Sequence, residues 1–322
     1  MLLTLSLGSS IVDAGADCTG NGGSGIAYTI VVDKSGGGNF TSVQSAIDSI
    51  PSQNNRWIKV HINPVHVTLA CYREKVTIPK DKPCIFLEGQ DRKVTTITFN
   101  QHDRTDTSTT FTSYAGNLFV KGITFQNSFN HPLLLKLELG DRKFPGVVPA
   151  VAARILGDKS AFFECGFMGG ARHALGCARP PLLLQDCSIN VSASAFSPKY
   201  PYGYITAQGR QSSNDPGGFV FKGGVIFGAV RPYLGRAWGP YSRVIFQETK
   251  FNSDVIPQGW DAWSFRGKEG NFMYAEVNCT GPGSNASKRV SWEKKLSADQ
   301  IKQFSLWSFV DYDGWISRLP WK

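Results

Sequence analysis

From Ile26 onward, short apolar runs alternate with turns rich in Gly, Asn and Asp. The runs are Tyr28–Val32, Ile58–Ile62, Cys84–Leu87, Thr95–Phe99, Asn117–Phe125, Ala161–Phe167, Gly218–Phe227 and Arg243–Phe246. They are dense in Val, Ile, Phe and Thr and read as strands. Ile123-Thr124-Phe125-Gln126-Asn127 and Ala161-Phe162-Phe163-Glu164-Cys165 share one pattern: apolar and β-favouring residues, then a polar residue at a turn. Such runs recur at about 20 to 30 residues, within the range of solenoid repeats. A parallel β-helix stacks coils of this length and buries their inward side chains in one long core. The pattern alone leaves a β-sandwich or a propeller open.

Two segments carry helical spacing instead. Val43, Ala46, Ile47 and Ile50 recur at i, i+3, i+4 and i+7, with Thr41 or Ser42 as N-cap and Pro51 as the stop. Ser297 and Gln300 have the spacing of a capping box ahead of Ile301, Phe304 and Leu306. A helix at each end is placed to cover the open edges of a β-helix.

Composition narrows the class. Of 322 residues, 41% are hydrophobic and 18% charged, which supports a packed core and excludes a disordered chain. The net charge of +9 favours a polyanionic partner, nucleic acid or acidic polysaccharide. No RNA-recognition motif, zinc finger or helix-turn-helix pattern is present, which argues against nucleic acid. Gly36-Gly37-Gly38 lacks the Lys-Ser/Thr of a phosphate loop and reads as a turn. The seven cysteines show no metal-ligand spacing, and their odd number leaves a thiol without an intramolecular partner. Asn39, Asn190, Asn278 and Asn285 head N-x-S/T sequons, which matter in a secreted glycoprotein. Residues 1–16 resemble a signal peptide truncated at its basic end. No stretch is long and apolar enough to span a bilayer.

A set of motifs, in order, resembles the catalytic domain of the plant pectinesterases. Asp33-Lys34-Ser35-Gly36-Gly37-Gly38-Asn39-Phe40 is similar to that family's opening motif, and Ala70-Cys71-Tyr72-Arg73-Glu74 to its G-x-Y-x-E. Gly122 to Asn127 matches G-[IL]-T-x-x-N, and Ala150 to Lys159 resembles Q-A-V-A…D-K. Ile205-Thr206-Ala207-Gln208-Gly209-Arg210 resembles I-T-A-Q-x-R. Tyr233-Leu234-Gly235-Arg236-Ala237-Trp238 resembles Y-L-G-R-P-W, and Gly259-Trp260 the late G-W. The resemblance implies an all-β, single-stranded, right-handed parallel β-helix over residues 26–322, with short helices near its ends. It implies methyl-ester hydrolysis of homogalacturonan in an open cleft, without metal or cofactor. One Asp is the nucleophile, a second moves the proton, Gln side chains steady the oxyanion, and an Arg orients the nucleophile. Paired carboxylates suit this work because proximity can hold one protonated while the other stays ionised. Carried onto this chain, the Arg is Arg236 and the aromatic wall of the sugar site is Trp238.

The remaining catalytic motifs are missing. The first Gln falls at Pro149, and Ala171 and Arg172 stand where Q-D is expected. The nucleophile's D-F-I-F-G is nowhere in the chain; Ser194-Ala195-Phe196 is the nearest stretch to align with it. His173 is the only nearby base candidate, and no Ser-His-Asp pattern joins it to Ser194. The genetic code offers a reason. One legal codon choice for residues 170–185, read one base later, encodes V-Q-D-T-L-W-D-A-R-G-R-H-Y-F-Y, which restores the family's Q-D-T-L. We therefore expect a change of reading frame here, with Cys177 a by-product. About one solenoid period is then missing before Gln185-Asp186-Cys187.

The expected consequences are a domain disrupted around residues 170–200, no central strand at Pro180-Pro181, and a loop across the cleft that leaves neighbouring coils poorly supported. Cys165 and Cys187 are expected to approach across adjacent coils, and residues 65–69 to be a short insertion. The overall expectation is a secreted, monomeric cell-wall protein that acts on pectin, with esterase activity impaired. A non-catalytic, basic pectin-binding protein is the alternative, and a lyase or galacturonase on the same scaffold is a more distant one.

Overall fold

A computed structural model describes residues 18–19, 25–65, 71–102, 104, 107–130, 150–169, 175–176, 181–191 and 202–320. The strands fall into three parallel sheets that the chain visits in rotation, so each coil stacks on the one before it: a parallel β-helix. Counted over the described residues, the first sheet has nine strands, among them Ser160–Phe163, Pro181–Gln185, Gly218–Lys222 and Arg243–Gln247. The second has seven, ending in Gly203–Gln208, Pro232–Ala237 and Trp260–Asp261. The third also has seven, among them Thr124–Asn127, Gly166–Gly169, Ser188–Val191 and Val225–Phe227.

Several runs that read as one strand fold as two. Asn117–Phe125 divides into Leu118–Lys121 and Thr124–Asn127, in different sheets. The break is a residue in left-handed backbone: Gly122, Glu164, Asp186, Gly223, Glu248 and Asn278 all take φ between 52° and 68°. Only two of these are glycines, and a side chain makes that conformation unfavourable by about 1 kcal/mol. A regular bond from the next coil offsets the penalty: Glu164 N–H donates to Gln185 O at 3.0 Å, Asp186 to Lys222 O at 2.9 Å and Glu248 to Val277 O at 2.8 Å.

Many of the motif residues turn out to join coils. Both oxygens of Glu74 accept from the first backbone N–H groups of helix α1 (Val43–Asp48), at 2.9 Å from Val43 and 2.8 Å from Gln44. These donors have no partner inside the helix. Asn127 donates through Nδ2 to Gln101 O and Ser108 O at 2.9 and 2.7 Å, tying three segments together. Helix α1 is capped by Ser42, and Val43, Ala46 and Ile47 enter the main core. The second helix, α2 (Ala298–Gln303), has the Ser297–Gln300 capping box but buries none of its residues. The chain after it runs over the outer face of the nine-stranded sheet, where Phe304, Phe309, Val310, Trp315, Ile316 and Leu319 pack on Trp57, Phe119, Leu183 and Ile245. The C-terminal segment therefore covers a sheet face, where an end cap was expected.

The expectation of no central strand at Pro180-Pro181 needs correction. Pro181–Gln185 is a central strand, paired with Ser160–Phe163 on one side and Gly218–Lys222 on the other. Pro181 is its first residue, a position where a missing N–H is tolerated. Leu182 and Leu184 point into the main core and Leu183 into the outer cluster, so a strand's two-residue period is satisfied on both faces. Ser188–Val191 likewise continues the third sheet without a gap. Among the described residues, Leu175 and Gly176 carry the second sheet at this level, joining Ala153–Arg154 to Thr206–Ala207. Residues 170–174, 177–180 and 192–201, and most of the insertion expected at 65–69, lie outside the described residues.

Cys18 and Cys84 form a disulfide with Cα atoms 5.5 Å apart, a pairing the sequence did not suggest. Cys165 and Cys187 are free thiols at equivalent turns of adjacent coils, as expected, and Ser188 N–H donates to Cys165 O at 2.8 Å. Among the described residues, no helix is long and apolar enough to cross a membrane.

Candidate active site

Three successive strands of the second sheet build the site. In register, Tyr204 lies beside Tyr233, and Ala207 beside Arg236, which in turn lies beside Asp261. Gly235 permits this close stacking: a Cβ there would stand 2.3 Å from Thr206 Oγ1. Arg236, the predicted catalytic Arg, is only 5% exposed and its guanidinium is surrounded by aromatic rings. Its Cζ lies 3.4 Å from the centroid of Trp263, 4.5 Å from Tyr204 and 5.7 Å from Trp238. Trp238, the predicted sugar-site residue, meets Trp263 edge-on at 6.2 Å. Tyr204 and Tyr233 stack at 5.3 Å, and Tyr202 meets Tyr233 edge-on at 5.8 Å, so the aromatic surface continues along the coils.

Sequence reasoning missed Tyr204, Asp261 and Trp263. A signal existed: Tyr204 precedes I-T-A-Q at the position that aligns with Tyr233, and Asp261 and Trp263 directly follow the Gly259-Trp260 motif. Asp261 Oδ2 accepts from the Tyr204 hydroxyl at 2.8 Å, and Oδ1 accepts from the Trp263 backbone N–H at 2.9 Å. Burial, and then the Asp261 charge, push the Tyr204 phenol well above its ordinary pKa, so it stays protonated and able to donate. Burial and Asp261 raise the Tyr233 phenol as well.

Gln208, of the I-T-A-Q motif, is fully buried, and its Oε1 accepts from the backbone N–H groups of Arg210 and Arg243 at 3.1 and 2.9 Å. Its carbonyl oxygen therefore fixes a turn. Pro149, Ala171, Arg172, His173 and Ser194 lie outside the described residues, so the structure places neither the positions where Gln and Asp were expected nor the His173–Ser194 pair. The sequence itself has a single acidic residue between positions 165 and 214, Asp186. It stands exposed on the turn between the first and third sheets, whereas Arg236 lies in the second. Among the described residues, no cluster of three or more His, Cys, Asp or Glu side chains could hold a metal.

The Pectinesterase family model matches residues 29–175 and 173–313. The chain belongs to the pectinesterase family. The two matches overlap at residues 173–175. Pectinesterases 55 and 29 of Arabidopsis thaliana are 40% and 39% identical to it, over 91% and 90% of this chain and 91% and 89% of their own lengths. Pectinesterase 10 of the same plant is 38% identical over 343 aligned residues, covering 100% of this chain and 94% of that relative. The alignment is longer than the 322-residue chain, so this pectinesterase relative carries positions that the chain lacks. Among solved structures, the pectin methylesterase from carrot superposes with a TM-score of 0.69 at 25% identity, covering 89% of this chain and 94% of that one. A pectin methylesterase in complex with a hexasaccharide shares the fold, with a TM-score of 0.64 at 19% identity over 88% of this chain and 97% of that one.

Proposed function

We propose that the protein acts on homogalacturonan in the plant cell wall, that methyl-ester hydrolysis is the reaction its site descends from, and that this reaction is impaired in this polypeptide. The cleft binds the sugar chain on the aromatic surface of Trp238, Trp263 and the tyrosines. Arg236 supplies the fixed positive charge, as the catalytic Arg of the resemblance would. Polygalacturonate is a polyanion, and a chain with net charge +9 attracts it from a distance. Secretion to the wall follows from this substrate and from the signal-like residues 1–16.

One observation carries the impairment. Ester hydrolysis of this kind needs one carboxylate to attack and a second to move the proton. Asp261 is one carboxylate beside Arg236, and both of its oxygens already accept hydrogen bonds. The segments that should supply the pair, residues 165–185 and 187–214, contain no Asp or Glu. The same absence favours the second reading, a basic pectin-binding wall protein that occupies substrate without turning it over. Methanol release from esterified pectin, measured beside binding to de-esterified pectin, tests both. Binding without release is expected, and release above the buffer background would show that the site is active.

A further inference from the structure

Among the described residues, Asp261 holds the two rings nearest Arg236 at once. Oδ2 takes the hydroxyl of Tyr204 at 2.8 Å, and that ring's centroid is 4.5 Å from the guanidinium. Oδ1 takes the backbone N–H of Trp263 at 2.9 Å, and the Trp263 ring is closer still, at 3.4 Å. Trp263 has a φ of 47°, left-handed backbone that a bulky side chain rarely adopts. An Asp whose side chain bonds the backbone two residues on stabilises such a turn. The geometry thus divides the work: the left-handed turn swings the indole back over Arg236, and Asp261 keeps the turn closed. Trp263 remains 37% exposed, so part of its ring faces solvent while the guanidinium lies against it.

We propose that Asp261 is a positioning residue for sugar binding: it pins Tyr204 and Trp263 against Arg236 and so fixes the aromatic surface on which a galacturonate ring stacks. It acts through these rings and forms no bond to the sugar. The proposal rests on the reading of this cleft as a homogalacturonan site, and the experiment separates the two.

Wild-type protein, Asp261→Ala and Asp261→Asn are titrated with a de-esterified oligogalacturonide, and their near-ultraviolet circular dichroism is recorded without sugar. The amide of Asp261→Asn keeps one oxygen to accept from Trp263 N–H and an NH2 to meet the Tyr204 oxygen. Asp261→Ala should weaken binding up to about thirtyfold, the scale of a desolvated cation–ring contact, and change the tryptophan bands. Asp261→Asn should restore most of both. Unchanged affinity and spectrum in Asp261→Ala would overturn the proposal. So would an Asp261→Asn as impaired as Asp261→Ala, which would assign the effect to charge rather than to the turn. If the wild-type protein binds no oligogalacturonide, the reading of the cleft and this sugar-binding role fall together, whereas binding by both the wild type and Asp261→Ala at equal strength removes the role alone.

Discussion

The guanidinium carbon of Arg236 lies 3.4 Å from the centroid of the Trp263 ring. The two residues belong to different coils, and the contact exists only because the solenoid stacks Arg236 beside Asp261. A desolvated stack of this kind contributes about 2 kcal/mol. Lysine keeps the charge but loses the plane that stacks. Arg236→Lys should therefore weaken oligogalacturonide binding by up to about thirtyfold while long-range attraction persists, and calorimetric titration at two salt concentrations measures both effects.

The strand Pro181–Gln185 sits where a surface loop was expected, and mutation distinguishes the two. Leu182 is fully buried in the main core. Leu182→Ala should destabilise the fold by about 2–5 kcal/mol, read from the midpoint of chemical denaturation. A loop residue at that position would change stability by about 0.5 kcal/mol or less.

The free thiols should differ in reactivity. Cys165 and Cys187 are buried, and burial together with the neighbouring Cys165 thiol pushes Cys187 well above the ordinary range. Burial also raises Cys279, to about 11. A raised pKa keeps the group as the unreactive thiol, so at pH 8 only about one molecule in a thousand carries the Cys279 thiolate. Alkylation followed by peptide mapping should find Cys71, which is partly exposed, modified before Cys279. The Cys279 rate should climb with pH until about 11, and Cys165 and Cys187 should react only on unfolding.

The Cys18–Cys84 bridge joins residues 66 apart in sequence and clips the segment ahead of the first strand to the third coil. Cys18→Ala should lower stability by about 2–4 kcal/mol through the freedom restored to the unfolded chain. Comparing it with the reduced wild-type protein checks that the loss comes from the covalent link.

Much of the fold was legible because a solenoid repeats its own chemistry. Strand composition, the Ser42 cap and the Ser297–Gln300 box are local, and each appears in the structure. The splitting of runs such as Ala161–Phe167 was not legible, because the left-handed backbone of Glu164 depends on a bond to Gln185 in the next coil. Pro181 misled for a similar reason: a proline forbids a strand interior but not a strand start, and only the register shows which it is. At the site, Arg236 and Trp238 stood out because one motif holds both. Tyr204, Asp261 and Trp263 come from neighbouring coils and become companions of Arg236 only through stacking.

Turnover of esterified pectin distinguishes an impaired site from a working one. Purified protein should be incubated with highly esterified pectin and the released methanol quantified, with sedimentation on de-esterified pectin run in parallel. Retention on pectin that weakens with salt, with methanol no higher than in buffer alone, is the expected result. Methanol accumulating in proportion to protein concentration would mean that this polypeptide assembles a working pair of acidic groups after all, and would contradict it.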